Sequence, residues 1–172
     1  GGDLNCSAVH LNALLRLCRG TDPSAELCLP HSTNARRAYD RLLLVPRLGP
    51  IPLEEGPAPL PGTLNRGPWH IACAQEDYRS QPQTPWDFWL DSVPALTLRP
   101  RRTGDRLTPP GRLGKTVKKW MIEEKLPRFQ RDVLPVFDCG GQVAAVAGLG
   151  PDLAFLPREG ESAWHVVITP AE

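Results

Sequence analysis

The chain has 172 residues and a formal net charge of +1, and apolar residues make up 41% of it. This length and composition fit a globular protein of one or two domains and exclude a wholly disordered chain, a collagen-like chain and a dense disulfide scaffold. The 20 prolines make long uninterrupted helices unexpected, and no apolar run approaches the roughly 18 residues of a membrane span.

The five cysteines are widely separated and include no Cys-x-x-Cys pair, and the four histidines are isolated as well. A tetrahedral zinc site needs ligands paired at short spacing, so we predict no metal site. Buried free thiols are the interpretation that we favour, which implies a reducing compartment and a cytoplasmic location. No secretion signal is visible at the N-terminus. The chain begins with Gly1 and not with Met, which predicts a fragment of a longer protein.

The first 45 residues predict one helix followed by strands. Residues 7–18 carry apolar side chains at helical spacing and end before Gly20, which predicts a short amphipathic helix. The apolar segment 27–29 predicts a strand. Residues 34–45 suit either a helix or two short strands around Asp40, and we favour the strands.

The following segment, residues 46–62, is rich in proline and predicts an extended surface loop. A polyproline ligand for a partner protein is the alternative. Further strands are predicted where β-branched and aromatic residues alternate or cluster, at residues 69–74, 86–90, 95–99, 134–138, 142–147 and 164–168. Gly104-Asp105 and Gly140-Gly141 predict turns between these elements.

Residues 115–126 predict a helix with one apolar face and one basic face, ended by Pro127. Val117, Trp120 and Met121 fall within about 100° of one another, so this face is expected to dock on a sheet. Four lysines lie on the opposite side, namely Lys115, Lys118, Lys119 and Lys125. We expect Trp120 in the core, because a base-stacking platform must be exposed.

Together these elements predict an α+β fold of small mixed or antiparallel β-sheets with a few short helices. One basic amphipathic helix is expected to pack on the C-terminal sheet.

Positive charge is concentrated between residues 96 and 131, which hold eleven Lys or Arg against three acids, a balance of +8. The rest of the chain carries −7, so one basic block belongs to an otherwise acidic protein. Such asymmetry indicates a polyanion partner, and a solvated basic surface is the alternative. Arginine forks and lysine point charges suit the phosphates of a nucleic acid.

The segment 109–116 is similar to the end of a phosphate-binding loop, because Gly114, Lys115 and Thr116 follow one another. Pro109 stands where that loop needs a glycine, and proline has no amide hydrogen to give to a phosphate. No Gly-x-Ser-x-Gly elbow and no recognisable cysteine–histidine signature is present. The residues therefore favour a binding function over catalysis.

Short motifs follow one another from residue 96 to residue 150, and their order and spacing are more specific than any one of them. They are Leu96-x-Leu98-Arg99, Gly104-Asp105-Arg106, Gly114, Lys118-Lys119, Pro127, Arg131-Asp132, Leu134-Pro135 and an apolar run from Val143 to Gly148. In this order they resemble the C-terminal domain of the tRNA(Ile)-lysidine synthetase family. Upstream segments are loosely similar to the family's link between its helical domain and its tail.

The resemblance implies the tRNA-recognising portion of an ATP-dependent ligase that attaches lysine to the wobble cytidine of tRNA(Ile). The family's Ser-Gly-Gly-x-Asp-Ser loop does not occur here, so no catalytic residue is expected in this chain. ATP and Mg²⁺ are implied for the full enzyme and no cofactor for this fragment. The implied partners are tRNA(Ile), gripped by its acceptor stem, and the enzyme's own N-terminal catalytic domain. No membrane is implied, and a homodimer is left open.

On this resemblance we expect three segments. Residues 1–20 are a helix from the end of a preceding helical domain, residues 21–93 are a β-rich segment with the proline-rich loop 46–62, and residues 94–172 are an α+β C-terminal tRNA-binding domain.

The residues expected to bind tRNA all carry positive charge, which suits an A-form stem read through phosphates and shape. By the resemblance they are Arg99, Arg106, Lys115, Lys118, Lys119 and Arg131, and charge alone adds Arg101, Arg102 and Arg128. Two alternatives remain at this point. The basic surface could serve protein interaction or interdomain docking without independent RNA binding, or Lys115 could belong to a nucleotide-hydrolysing domain.

Overall fold

The computed structural model describes residues 6–47 and 51–171. They form two compact units, an N-terminal unit within residues 1–49 and a C-terminal unit within residues 50–172. In the described residues the helices are short and the paired strands are antiparallel. The predicted α+β class of small sheets with few helices is therefore confirmed.

The N-terminal unit consists of a helix and a three-stranded antiparallel sheet. Its elements are α1 (Ala8–Arg19), β1 (Glu26–Leu29), β2 (Thr33–Ala38) and β3 (Arg41–Pro46). Ser7 is the N-cap of α1, and the helix ends before Gly20 as predicted. Tyr39 has a φ of +58° between β2 and β3, where the chain reverses around Asp40. The two strands favoured for residues 34–45 are thus confirmed.

The C-terminal unit is built from short strands and short helices. In chain order these are β4 (Gly56–Pro57), β5 (Gly62–Arg66), β6 (Trp69–Asp77), β7 (Asp87–Asp91), β8 (Thr97–Arg99), β9 (Arg106–Leu107), β10 (Lys115–Thr116), α2 (Val117–Glu123), α3 (Arg128–Arg131), β11 (Val136–Cys139), β12 (Gln142–Val146), β13 (Gly150–Pro151), a 3₁₀ turn (Leu153–Phe155) and β14 (Ser162–Pro170). The six strands predicted between residues 69 and 168 correspond to β6, β7, β8, β11, β12 and β14.

Two antiparallel sheets enclose one hydrophobic core in this unit, and β9 and β10 form a separate two-stranded ribbon. The five-stranded sheet has the order β13-β12-β11-β8-β4, and the four-stranded sheet has the order β5-β6-β14-β7. Phe88 from β7 meets Phe137 from β11 edge to face, with ring centroids 5.8 Å apart. α2 adds Val117, Trp120 and Met121 to the same core, which confirms its predicted docking face.

The helix predicted over residues 115–126 is shorter in the structure. Lys115–Thr116 forms β10 and pairs with β9, which places Thr116 opposite Arg106. α2 begins only after this strand, with Thr116 as its N-cap. Lys125 lies beyond its end with a φ of +53°, a conformation that an α-helix does not contain. A pairing with a distant strand has thus overridden the helical pattern at Lys115.

The predicted boundary between residues 93 and 94 does not coincide with a division in the structure. β14 lies between β6 and β7 in the four-stranded sheet, so the end of the chain completes a sheet begun before residue 93. β4 also pairs with β8, through Gly56 and Leu98. Residues on both sides of the predicted boundary share one core, and the chain divides between residues 49 and 50 instead. The predicted boundary at residue 20 falls inside the N-terminal unit.

The proline-rich segment, residues 46–62, lies partly outside the described residues. Its described part contributes β4 to the edge of the five-stranded sheet and buries Leu53. An edge position suits Pro57, because proline has no amide hydrogen to donate to a further strand. The segment is therefore an integral part of the sheet as well as a connection.

Candidate nucleic-acid interface

Arg99 lies at the end of β8 and is buried, with 2% of its surface exposed. Its guanidinium donates to both carboxylate oxygens of Asp105 at 2.9 Å, and its Nε donates to Asp138 at 2.9 Å. Nη2 lies 2.8 Å from the same Asp138 oxygen, and Nη1 also donates to the Pro100 carbonyl at 3.1 Å. The structure thus places this residue, expected to bind tRNA, beneath the surface with its donors engaged by the protein.

The charges of this buried cluster are fixed by its own contacts. The hydrogen bond to Asp105 raises the pKa of Arg99 above its usual value in spite of burial. Burial alone would raise the pKa of Asp105, but hydrogen bonds from Arg99 and from the Arg102 amide hold the pKa of this carboxyl below its usual range. Asp105 is therefore ionised at neutral pH and forms a permanent ion pair with Arg99.

The turn between β8 and β9 carries two further arginines. The Asp105 amide donates to the Arg102 carbonyl at 3.2 Å, which closes the predicted Gly-Asp turn. Arg101 pairs with Asp132 at 2.6 Å, and Arg102 pairs with Glu55 at 2.7 Å. Both side chains of the Arg102–Glu55 ion pair are exposed, so water and dissolved ions compete with this contact. Both arginines remain at the protein surface.

β9 brings Arg106 next to the start of α2. Arg106 is exposed and lies opposite Thr116, and its Nη2 donates to the Gly114 carbonyl at 3.2 Å. Lys118 and Lys119 follow in the first turn of α2 and are exposed as well. These three cations have no ion-pair partner among the residues that the structure describes. The fold therefore gathers uncompensated positive charge at this point.

Arg112 and Lys115 cover the buried ring of Trp120, with their charged groups 3.9 and 4.5 Å from the ring centroid. Trp120 is 1% exposed and its Nε1 donates to the Leu107 carbonyl at 2.9 Å, which confirms its predicted place in the core. Glu123 accepts from Arg112 at 2.8 Å and from Lys115 at 2.5 Å. The bond from Lys115 lowers the pKa of Glu123. Lys115 is thus already held by an acid of the same unit.

The last two arginines expected to bind tRNA lie on α3, a single helical turn that the sequence pattern did not predict. Arg128 is exposed. Arg131 is half-buried, and its Nε donates to the Leu126 carbonyl at 2.8 Å. Arg128 is therefore the more accessible of the two.

A cleft of 640 Å³ opens beside the arginine-bearing turn. Its lining comes from three segments, residues 102–106, residues 141–143 and residues 152–155, with Arg99 and Asp138 also contributing. Asp138 carried no signal in the sequence, because it is 39 positions away from the arginine that it binds. The acidic partners Glu55 and Asp132 were missed for the same reason.

Among residues 6–47 and 51–171, no group of three or more His, Cys, Asp or Glu side chains could hold a metal ion. No helix in this part of the chain is both long and apolar enough to cross a membrane. The predicted burial of the thiols holds for Cys73, and desolvation raises the pKa of that thiol to about 12. Cys18 and Cys28 are exposed instead, because α1 buries none of its residues and Cys28 lies on the exposed face of β1.

Comparison with known proteins shows which family the segment with the basic residues resembles. Residues 96–168 match the family model of the TilS substrate C-terminal domain. The chain is 34% identical over 158 residues to a tRNA(Ile)-lysidine synthase of Geobacillus kaustophilus, which covers 83% of this chain and 32% of that protein. It is 32% identical over 179 residues to the synthase of Geobacter sulfurreducens, covering 94% of this chain and 35% of that protein.

The chain thus spans about a third of the length of the curated relatives that it matches. A crystal structure of a TilS C-terminal domain superposes with a TM-score of 0.58 and 24% identity, covering 69% of this chain and 99% of that chain. This likeness supports the same fold. The resemblance of the sequence to the tRNA(Ile)-lysidine synthetase family is confirmed, and residues 96–168 match the C-terminal domain of that family.

Proposed function

We propose that the C-terminal unit is the tRNA-recognition portion of a tRNA(Ile)-lysidine synthetase, which binds tRNA(Ile), by its acceptor stem, for an ATP-dependent ligase. In this proposal the catalytic chemistry, with ATP and Mg²⁺, belongs to the N-terminal catalytic domain of the enzyme. The predicted cytoplasmic location is part of the same proposal.

The observation that carries the proposal is the group of Arg106, Lys118 and Lys119. They are exposed, they lie close together because β9 pairs with β10 at the start of α2, and they have no acidic partner among the described residues. Phosphates of an RNA stem would supply the missing negative charge, and such contacts release counterions from the RNA.

The position of the two lysines adds a second argument. The first turn of α2 contains Lys118 and Lys119 and no acid. Positive charge at a helix N-terminus opposes the helix dipole, at a cost of about 0.3–1 kcal/mol for an exposed group. Residues chosen for stability alone would be acidic here, so these lysines suit an anionic partner better than they suit the helix.

The test is binding of the purified chain to a tRNA(Ile) transcript at several salt concentrations, with Lys118→Gln/Lys119→Gln as the variant. If both lysines contact phosphates, the slope of log affinity against log salt is expected to fall by about 2, since each phosphate contact contributes about 0.9. The folded state should be retained or slightly stabilised, because the substitution removes charge that opposes the helix dipole.

The matched control is Arg16→Gln/Arg19→Gln on α1, which removes the same charge from exposed positions of the N-terminal unit. This control should keep the slope of the unmodified chain. Equal losses in both double variants would mean that net charge alone attracts RNA. If the unmodified chain does not bind tRNA even at low salt, independent RNA recognition is refuted and a docking role of the basic surface takes its place.

A further inference from the structure

The buried arginine of the basic block connects three parts of the C-terminal unit. The Asp105 carboxylate accepts hydrogen bonds from both Nη groups of Arg99 and from the Arg102 amide, the last at 2.6 Å. The carbonyl of Asp105 accepts from the Val117 amide at 2.8 Å, at the first residue of α2. Asp105 thus joins the arginine-bearing turn to the helix that carries the exposed lysines.

The second aspartate makes a corresponding connection on the other side. Asp138 Oδ2 accepts a hydrogen bond from Arg99 Nε. Asp138 Oδ1 accepts one from the Gly141 amide at 2.8 Å, inside the β11–β12 turn. Arg99 therefore holds two turns that are far apart in the sequence at fixed positions. These are the turns that line the cleft, together with residues 152–155.

We propose that Arg99 is a positioning residue of the RNA site. Through Asp105 and Asp138 it fixes the two turns and directs Arg102 and Arg106 toward RNA phosphates, without touching the RNA itself. This inference rests on the proposed function and changes the role expected for Arg99, from a phosphate contact to the support beneath the contacts.

The energetics of buried ion pairs support this assignment. Removing two or three charges from water costs about as much as their attraction returns, so a well-packed apolar cluster would stabilise the fold at least as well. An ion cluster does, however, impose directions that apolar packing does not, because an arginine guanidinium donates hydrogen bonds to carboxylates only in its own plane. Beneath a surface that must present charged groups in a fixed arrangement, that directionality is useful.

The decisive variant is Asp105→Asn, because two explanations predict opposite results. Removing an acid next to the RNA site raises the local positive charge, so electrostatics alone predicts tighter binding. The positioning role predicts weaker binding, by about a hundredfold, which is the loss expected when two charge-assisted hydrogen bonds to phosphates are lost. Asp132→Asn, at an exposed acid that pairs with Arg101, makes the same charge change and should bind equally or more tightly.

Arg99→Lys provides the second variant, since lysine keeps the charge but cannot grip two carboxylates with a planar fork. It is expected to weaken binding as Asp105→Asn does. The salt dependence gives a readout that a merely structural role would not move. In both variants the slope of log affinity against log salt should fall by about 2, because Arg102 and Arg106 lose their phosphate contacts. The slope is measured under conditions in which circular dichroism shows that the chain is folded.

Arg102→Gln/Arg106→Gln leaves the buried cluster intact and is expected to give the same loss of slope, so the proposal remains testable if the core variants unfold. An unchanged slope in this surface variant overturns it. Unchanged or tighter binding by folded Asp105→Asn and Arg99→Lys also overturns it, while the response of Lys118→Gln/Lys119→Gln reports separately on the proposed function. Absence of tRNA binding by the unmodified chain removes both.

Discussion

Replacing Trp120 with phenylalanine separates a role in the core from a role in base stacking. The substitution removes the Nε1 hydrogen bond to the Leu107 carbonyl, which contributes about 1 kcal/mol. It also removes roughly 50 Å² of buried aromatic surface, equivalent to about 1 kcal/mol at about 25 cal/mol per Å². We therefore expect Trp120→Phe to lower the free energy of unfolding by about 2 kcal/mol.

Urea denaturation followed by circular dichroism measures this change, and a tRNA titration in the same buffer without urea measures the affinity. Since Trp120 is 1% exposed, the affinity of the folded variant should stay within about twofold of the unmodified chain. Leu113→Ala, at a side chain that is largely exposed, is the control that should change neither quantity. Unchanged stability together with a tenfold loss of affinity would refute the reasoning, because the ring would then contact bases.

Three further predictions follow from individual groups. Glu123→Gln removes the acid that holds Lys115, while Arg112 keeps its ion pair with Glu124, so tRNA affinity and its salt slope should increase through Lys115; a decrease in the titration would contradict the surface that we propose. Asp105 has a lowered pKa in the folded state, so its contribution to stability is present above the unfolded pKa of about 3.9 and is lost as the pH falls through the lower folded value. Urea denaturation should therefore show stability decreasing below about pH 4, and Asp105→Asn should flatten that decrease; equal slopes in the two proteins would argue against it. The Cys73 thiol, buried and with its pKa raised to about 12, should resist a thiol reagent at pH 8 until the chain is unfolded, and rapid native-state labelling of this residue by mass spectrometry would contradict its place in the core.

The outcome of the sequence analysis depended on whether each signal was local. Residues 7–18 and 34–45 contain their own periodicity, turn and stop residues, and α1, β2 and β3 formed as predicted. The inward face of α2 was equally readable, because helical spacing alone brings Val117, Trp120 and Met121 together.

The main differences between the sequence analysis and the structure involve contacts between distant residues. Lys115 has helical neighbours, yet it pairs with β9 because β9 supplies backbone partners that the sequence pattern cannot reveal. The structure does not divide at residue 93, because β14 lies between β6 and β7 in one sheet. Spacing of turns and prolines suggests where a chain could divide, but sheet pairing decides where it does.

The basic block shows the same distinction for function. The family resemblance and charge counting together assigned nine of the eleven cations between residues 96 and 131 to one surface. The tertiary structure sorts them by their partners: Arg99 is buried against Asp105 and Asp138, whereas Lys118 and Lys119 are exposed without an acidic partner among the described residues. Counting charges cannot make this distinction, because the acid that neutralises a base need not be near it in the chain.

The sequence by itself determined the fold class, the family resemblance and the concentration of positive charge, because composition, periodicity and motif order depend only on the order of residues along the chain. Only the tertiary structure decided which cations are exposed and which one is buried in ion pairs. The physical reason is that burial and ion pairing depend on atoms brought within about 3 Å of each other by the fold. Arg99 is the clearest example, because its position in the motif indicates an RNA contact, whereas the fold buries it against Asp105 and Asp138.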